Sequence, residues 1–376
     1  MGLGSWKRRG RRTLVAAALT TTIVAGTAGW ASGHRQSPLT GPPPGTASWR
    51  ADTTLGTPLP DPATTGPRRM AAFFRGLSAS EQHTLAVRHP SVVGNLDGAP
   101  VPLRYDANSR ALRVARSEAR ADARDTGLTP QARTTARVLA ERCAELLAPG
   151  RRILAFDPRG RGQVAEVYGD LRTARHLSVI VPGSDIDLGS FDRTSDRYGT
   201  PTGMAKSLYK AARGRTAVVA WVGYTTPVGL GADAATGRLA EAGAPRLTRF
   251  VQGLTATGVP QPAVFCHSYG SVVCGLAAPG LAASDLVVLG SPGVRADHVA
   301  DLHTRARVWA ARDDSDWISK VPHVELFGLG HGADPADPSF GARRVPAEDA
   351  KGHTGYFAPG TDSLRAFTDI ATGVLS

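Results

Sequence analysis

The segment Ala263-Val264-Phe265-Cys266-His267-Ser268-Tyr269-Gly270-Ser271-Val272-Val273 sets a serine between an apolar run and a helix-forming run. Strand, sharp turn and helix in that order hold a serine in a strained backbone with its hydroxyl exposed. Small residues two positions to either side let the helix pass close to the strand. Gly270 meets the downstream requirement, whereas upstream Cys266 stands where glycine is usual, and cysteine is small enough to serve. A bare S-x-G has no force, because Ser291-Pro292-Gly293 and Ser339-Phe340-Gly341 fit it too. The strand before Ser268 and the helix-forming run after it single this serine out. The bland alternative is a serine N-cap at an ordinary strand-to-helix turn.

A hydroxyl is a weak nucleophile at neutral pH and needs a histidine base, which in turn needs a carboxylate to hold its tautomer. For a serine in such a turn, the acid and then the histidine follow in the chain. The run 306–311 leads into Arg312-Asp313-Asp314-Ser315-Asp316-Trp317-Ile318. Asp316 is the preferred acid, because Trp317-Ile318 can anchor the loop by burial. Asp313 and Asp314 remain open as rivals, and Asp297, after the preceding strand, is a fourth candidate. For the base, Gly352-His353-Thr354-Gly355-Tyr356 places His353 among small residues near the last helix, with His331 in Gly330-His331-Gly332 as its rival. His267 adjoins the serine and reads as a support of the turn. Two backbone N–H groups must receive the oxyanion, each contributing about 3 kcal/mol. Tyr269 supplies one, and Ser184, in Val181-Pro182-Gly183-Ser184 after the third strand, is expected to supply the other. The competing reading of that loop is a plain strand-end turn.

These residues need a scaffold, and from residue 152 the pattern provides one. Short apolar runs at 153–156, 164–168, 176–181, 216–221, 263–266, 285–289 and 306–311 alternate with turns, and helical segments are expected at 204–212 and 245–254. Runs without alternation mark strands buried on both faces, which predicts a mainly parallel sheet covered by helices, an α/β fold. The first two runs flank Asp157-Pro158-Arg159-Gly160 and predict a hairpin. The Asp and Gly spacing of that turn matches a piece of a calcium loop, but the further acidic ligands are missing. Residues 223–244, rich in Gly and Ala, are expected to form a pocket rim or cover, with Tyr224 either lining the site or packing beneath it.

Upstream, residues 68–150 read as a helical subdomain. Ser78-Ala79-Ser80-Glu81 has the form of a capping box, residues 110–124 predict a mostly solvated helix, and Thr129-Pro130 opens another that stops at Pro149-Gly150. Residues 32–67, rich in Pro and Thr without apolar periodicity, read as a disordered linker. Residues 1–31 read as a signal peptide: a basic cluster, an uncharged stretch over 13–30, and Gly29 and Ala31 before a cleavage point. Arg8-Arg9 and Arg11-Arg12 also permit twin-arginine export, and an uncleaved anchor is the alternative. The protein is therefore expected to be secreted or otherwise extracytoplasmic.

Of 376 residues, 44 are basic and 32 acidic, a formal charge of +12, and removing the five basic residues of the first dozen leaves about +7. The remaining arginines are scattered, without the aromatic interleaving or Cys/His spacing of nucleic-acid binders, so no nucleic-acid partner is expected.

With these residues in hand, the chain resembles a family of exported bacterial α/β-hydrolase-fold proteins long catalogued as a domain of unknown function. The matching stretches are HPSVVGNLDG from His89, LAFDPRGRG from Leu154, VIVPGSD from Val179, HSYGSVV from His267 and GSPGV from Gly290. RVWAARDDSDWI from Arg307, HGADPADPSFGARR from His331 and GHTGYF from Gly352 continue them, so the likeness runs from about residue 68 to the end. It implies an α/β-hydrolase domain over 151–376 with Ser268, Asp316 and His353 as the triad. It implies hydrolase chemistry without a substrate, and Cys266 departs from its usual glycine.

Of the three cysteines, Cys266 and Cys274 make the best disulfide, closing the turn between strand and helix, while Cys143 lies on an apolar helix face and reads as core. The expected activity is that of an esterase- or lipase-like serine hydrolase, a monomer acting on a small-molecule or lipid ester. It needs no metal or organic cofactor and is expected to associate with the cell envelope. Acyl transfer to an envelope glycan is one alternative, and a non-catalytic module that binds envelope ligands is another.

Overall fold

The computed structural model describes residues 35–375, and the export segment expected over 1–31 lies outside them. The apolar runs form strands where the pattern placed them: β1 (Ile153–Asp157), β2 (Gln163–Tyr168), β3 (Leu177–Val181), β4 (Ala217–Val222), β5 (Pro262–His267), β6 (Asp285–Leu289) and β7 (Arg307–Ala311). A small hairpin, β8 (Glu325–Leu326) with β9 (Leu329–Gly330), stands apart, and β10 (Arg343–Val345) closes one edge. The main sheet has the order β1-β2-β4-β3-β5-β6-β7-β10. The β1–β2 hairpin is antiparallel and joins β4 antiparallel, while every pair from β4 to β10 is parallel. Strands β3 to β6 are buried at every residue, as double-sided cover requires.

The helices, in chain order, are α1 (Thr46–Arg50), α2 (Pro67–Arg75), α3 (Ala79–Arg88), α4 (Pro90–Val93), α5 (Val101–Asp122), α6 (Pro130–Leu146), α7 (Pro201–Ala211), α8 (Ala232–Ala235), α9 (Arg238–Ala256), α10 (Gly270–Ala277) and α11 (Asp362–Ala371). One face of the sheet presents Val179, Val264, Cys266 and Val288 to α9 and α10. The other presents Ile180, Phe265, Val287 and Leu289 to α7 and α11, where the Phe265 and Phe367 rings meet at 5.4 Å. Alternate residues of one strand thus serve two cores.

The helical preface is as expected in outline, with the Ser78–Glu81 capping box at α3 and the Thr129 cap at α6. Two helices begin earlier than the pattern indicated. α5 starts at Val101, because its buried stripe of Ala107, Asn108, Ala111 and Leu112 is made of small or polar residues that carry little apolar signal. α9 starts at Arg238 and runs through Pro245, because the stripe from Leu239 to Leu254 is continuous and packing outweighs the hydrogen bond that proline removes. Cys143, a free thiol, sits in the core between α6 and the β1–β2 hairpin.

The reading of 32–67 as a disordered linker is corrected from residue 35 onward. Trp49 is fully buried, its indole N–H donates to the Pro60 carbonyl at 2.8 Å, and it lies in one cluster with Phe74, Leu85 and Val92. Asp52, also buried, receives Arg88 at 2.7 Å and His89 at 2.6 Å. A single indole buries enough surface to order a segment that has no apolar period. At its start, the Gln36 N–H donates to Asp233 Oδ2 at 2.7 Å. Trp49→Ala is expected to destabilise the fold by about 3–5 kcal/mol in urea unfolding. A chain in which 35–67 were an unstructured linker would show no change.

Candidate active site

Ser268 follows the last residue of β5 with φ 55°, a left-handed conformation that a side chain rarely adopts. Its N–H donates to the Leu289 carbonyl at 3.0 Å. The turn is tight because a Cβ at Gly270 would lie 2.6 Å from the carbonyl oxygens of both Val181 and Pro182, so α10 can approach β3 only through a glycine. Upstream, Cys266 is bonded to Cys274 across a Cα–Cα distance of 6.5 Å, the pairing the sequence suggested. Ser271 Oγ donates to the Cys266 carbonyl at 3.0 Å and closes the same turn.

Asp316 and His353 meet. Asp316 caps the short turn Trp317–Lys320, accepting the Ile318 N–H at 2.9 Å, and it also faces His353 Nδ1 at 2.9 and 3.0 Å. Tyr356 donates its hydroxyl to Asp316 Oδ2 at 2.6 Å. Burial opposes ionisation of Asp316, but the hydrogen bonds from His353, Tyr356 and Ile318 outweigh it and hold the carboxyl below its ordinary range. A carboxylate only accepts, so Nδ1 carries the imidazole proton and Nε2 is left as the basic nitrogen.

Two contacts bring this pair to the serine. A Cβ on Gly290, next to the carbonyl that holds Ser268 N–H, would lie 2.9 Å from Asp316 Oδ2 and 3.2 Å from the His353 ring. His267 donates from Nε2 to the His353 carbonyl at 2.7 Å, with ring centroids 4.7 Å apart. Among the described residues no hydrogen bond joins Ser268 Oγ to His353, whose Nδ1 is held by Asp316.

The rivals separate clearly. Asp313 is buried and accepts the Gly352 N–H at 2.6 Å and the Ser315 hydroxyl, so it clamps the loop that carries His353. Its own N–H donates to the Tyr356 hydroxyl at 3.1 Å. Asp314 and Asp297 are exposed. His331 is buried against the edge of Tyr269 at 5.5 Å, and its Nε2 donates to the Ala234 carbonyl at 2.7 Å, away from Asp316.

For the oxyanion, the backbone of Gly183 lies against the serine, since a Cβ there would stand 2.6 Å from Ser268 Cβ and 3.0 Å from Oγ. The N–H groups of Tyr269, Gly183 and Ser184 donate to no acceptor among the described residues. Tyr224 is buried, and its hydroxyl donates to the Pro182 carbonyl at 2.7 Å, so of its two readings packing beneath the site is the one realised. Tyr269 reaches into residues 223–244, donating its hydroxyl to the Thr236 carbonyl at 2.7 Å. Sequence reasoning missed Tyr356 as part of the site, although it stood inside a motif it quoted; the close approach expected of the glycine in the Val181–Ser184 loop is made by Gly183. No cluster of metal-binding side chains occurs among the described residues.

A mainly parallel sheet, with a left-handed serine after β5, an acid after β7 and a histidine before the last helix, is the arrangement of one superfamily, and residues 157–326 match the model of the α/β hydrolase family. The chain has the α/β-hydrolase fold. An uncharacterized protein of Mycobacterium tuberculosis is 31% identical over 379 residues, 84% of this chain and 57% of that protein, so the chain spans a little over half the relative's length. A protein of Mycobacterium bovis is 41% identical over 90 residues, 23% of this chain and 34% of its own. Among solved structures, an α/β serine hydrolase without a lid from Xanthomonas campestris has a TM-score of 0.36 at 15% identity, covering 60% of this chain and 95% of that one. The dienelactone hydrolase of Anabaena variabilis has 0.35 at 18%, covering 56% and 90%. Superpositions at that level add nothing to what the topology and the family match carry.

Burial, and then the neighbouring His353, push His267 down to about 3. The unfolded chain takes up a proton near pH 6.5 that the folded one refuses, so stability falls as pH drops below that value. From pH 6.5 to 5 the loss from His267 is expected to be about 2 kcal/mol. Asp316 adds a further loss below about pH 4, as its depressed carboxyl is protonated. Melting curves against pH check this: His267→Gln should flatten the decline between pH 6.5 and 5, and an unchanged slope would contradict it.

Proposed function

We propose that the chain is a serine hydrolase of ester or related acyl bonds, working outside the cytoplasm. The observation that carries the reading is the left-handed Ser268 turn sharing the floor at Gly290 with the His353–Asp316 pair. His353 Nε2 takes the Ser268 proton as Oγ attacks the acyl carbon, and Asp316 stabilises the imidazolium. The Tyr269 N–H and one N–H of Gly183 or Ser184 receive the oxyanion. Collapse of the tetrahedral intermediate expels the alcohol, which takes its proton from His353. Water, deprotonated by the same nitrogen, then frees the acid and restores Ser268. The basic, apolar, small-residue order of residues 1–31 and the Cys266–Cys274 bond both support an exported enzyme.

The rim supports an apolar acyl substrate. Trp317 lies against His353 with centroids 4.7 Å apart. The β8–β9 hairpin carries Leu326 at 62% and Phe327 at 96% exposure, and Val228 and Leu230 are exposed as well. Leu329 ties the hairpin to Thr236, whose carbonyl accepts the Tyr269 hydroxyl, so the apolar hairpin is linked to the residue after the nucleophile through Thr236. Such a concentration marks contact with an apolar ligand or surface.

A fluorophosphonate probe is expected to label the protein and to fail on Ser268→Ala; equal labelling of both would overturn the reading. Asp316→Asn is expected to lower kcat by about 10⁴-fold, the cost of the wrong imidazole tautomer. Phe327→Ser should raise KM for a long-chain p-nitrophenyl ester while leaving the acetate unchanged; a parallel change in both would remove the rim from the substrate's path.

A further inference from the structure

A cavity of about 380 Å³ lies between the β1–β2 hairpin, α9 and residues 40–43, and its lining includes none of Ser268, His353, Asp316, Tyr269 or Gly183. Four guanidiniums, of Arg104, Arg159, Arg246 and Arg249, meet two carboxylates there, Asp97 and Asp157. Arg159 takes up Asp157 in a fork at 2.6 to 3.1 Å, and Arg104 meets Asp97 at 3.5 Å. Arg246 and Arg249 form no direct ion pair among the described residues, and Asp97 and Asp157 reach Arg246 only at longer range. Arg246 Nε donates to the Gly223 carbonyl at 2.6 Å and its NH2 to Gln163 Oε1, while Arg249 donates to the Thr65 carbonyl at 3.0 Å. These neutral acceptors satisfy hydrogen bonds without neutralising charge, and burial lowers the pKa of both Arg246 and Arg104. Four guanidiniums thus share two carboxylates, and an excess of desolvated cations is costly. Val164, Val222, Trp221 and Phe250 line the same cavity with apolar surface, the last two with rings 6.0 Å apart.

We propose that this cavity is a second binding site, for a small monocarboxylate with an apolar body. The planar carboxylate suits the free edges of the Arg246 and Arg249 forks. Asp97, facing the same space, disfavours a dianion such as phosphate, and the aromatic wall takes the hydrocarbon. The site stands independently of the role of Ser268.

Calorimetric titration of the full chain with octanoate tests it, with octanol and inorganic phosphate as comparisons. Octanoate is expected to bind one per chain, with octanol and phosphate each roughly tenfold weaker or worse. Arg246→Gln and Arg249→Gln should each weaken octanoate roughly tenfold, while Arg249→Lys, which keeps the charge, should hold it within about threefold. Ser268→Ala should leave the affinity unchanged, and Arg249→Gln should leave fluorophosphonate labelling unchanged. Octanol or phosphate binding as tightly as octanoate would overturn the assignment, as would indifference to both arginine substitutions. Loss of octanoate in Ser268→Ala would place the ligand in the acyl pocket and overturn it too.

Discussion

The carbonyl oxygens of Val181 and Pro182 lie where a side chain at Gly270 would begin. The geometry of the serine turn follows from that contact. Because α10 can come so near the end of β3, the chain between β5 and α10 must reverse within one residue, and Ser268 bears the positive φ that results. The same crowding brings Gly183 against the serine side chain, so two loops that begin at adjacent parallel strands meet at the serine. Parallel pairing of β3 with β5 is the precondition: it sets the carboxyl ends of both strands at one edge of the sheet.

The charged part of the site is built on a different principle. Asp316 is buried, and its ionised form is tolerated because three donors converge on it: His353, Tyr356 and the Ile318 N–H. Asp313 performs the matching task one turn earlier, holding Gly352 and receiving the Ser315 hydroxyl. The two aspartates therefore divide the work, one facing the imidazole and the other fixing the loop that brings it. Tyr356 touches both, donating to Asp316 and accepting from Asp313 N–H. A single phenol thereby sets the spacing between the acid and the loop that bears the base.

How much of this was legible follows from the range of each interaction. The strands were readable because burial on both faces leaves an unbroken apolar run, and the caps of α3 and α6 were readable because their donors and acceptors lie three residues apart. Choosing among Asp313, Asp314 and Asp316 from sequence needed the burial of Ile318, which the apolar pair after Asp316 indicated. The Tyr356 hydroxyl was not legible as an acid's partner, since its contact spans 40 residues and depends on how two loops cross. Trp49 was missed for a related reason: composition averages over the segment, whereas ordering came from one side chain and its Pro60 partner.

Cys266 is the place where the elbow pattern is incomplete, and the geometry gives a reason for its tolerance. Glycine upstream of a nucleophile serves to let the following helix lie close to the strand. Here the Cys266 side chain projects from the strand toward α10 and its sulfur is bonded to Cys274, so the atom that would obstruct a neighbouring side chain is itself the link to the helix. Strand and helix remain in register at a Cα–Cα distance of 6.5 Å, which is a separation set by a covalent bond and no longer by bare backbone contact. The downstream glycine has no such substitute, because a Cβ there would collide with the carbonyl oxygens at the end of a third strand. The two flanking positions of the elbow are therefore unequal: one needs a small residue or a bond, and the other needs the absence of a side chain.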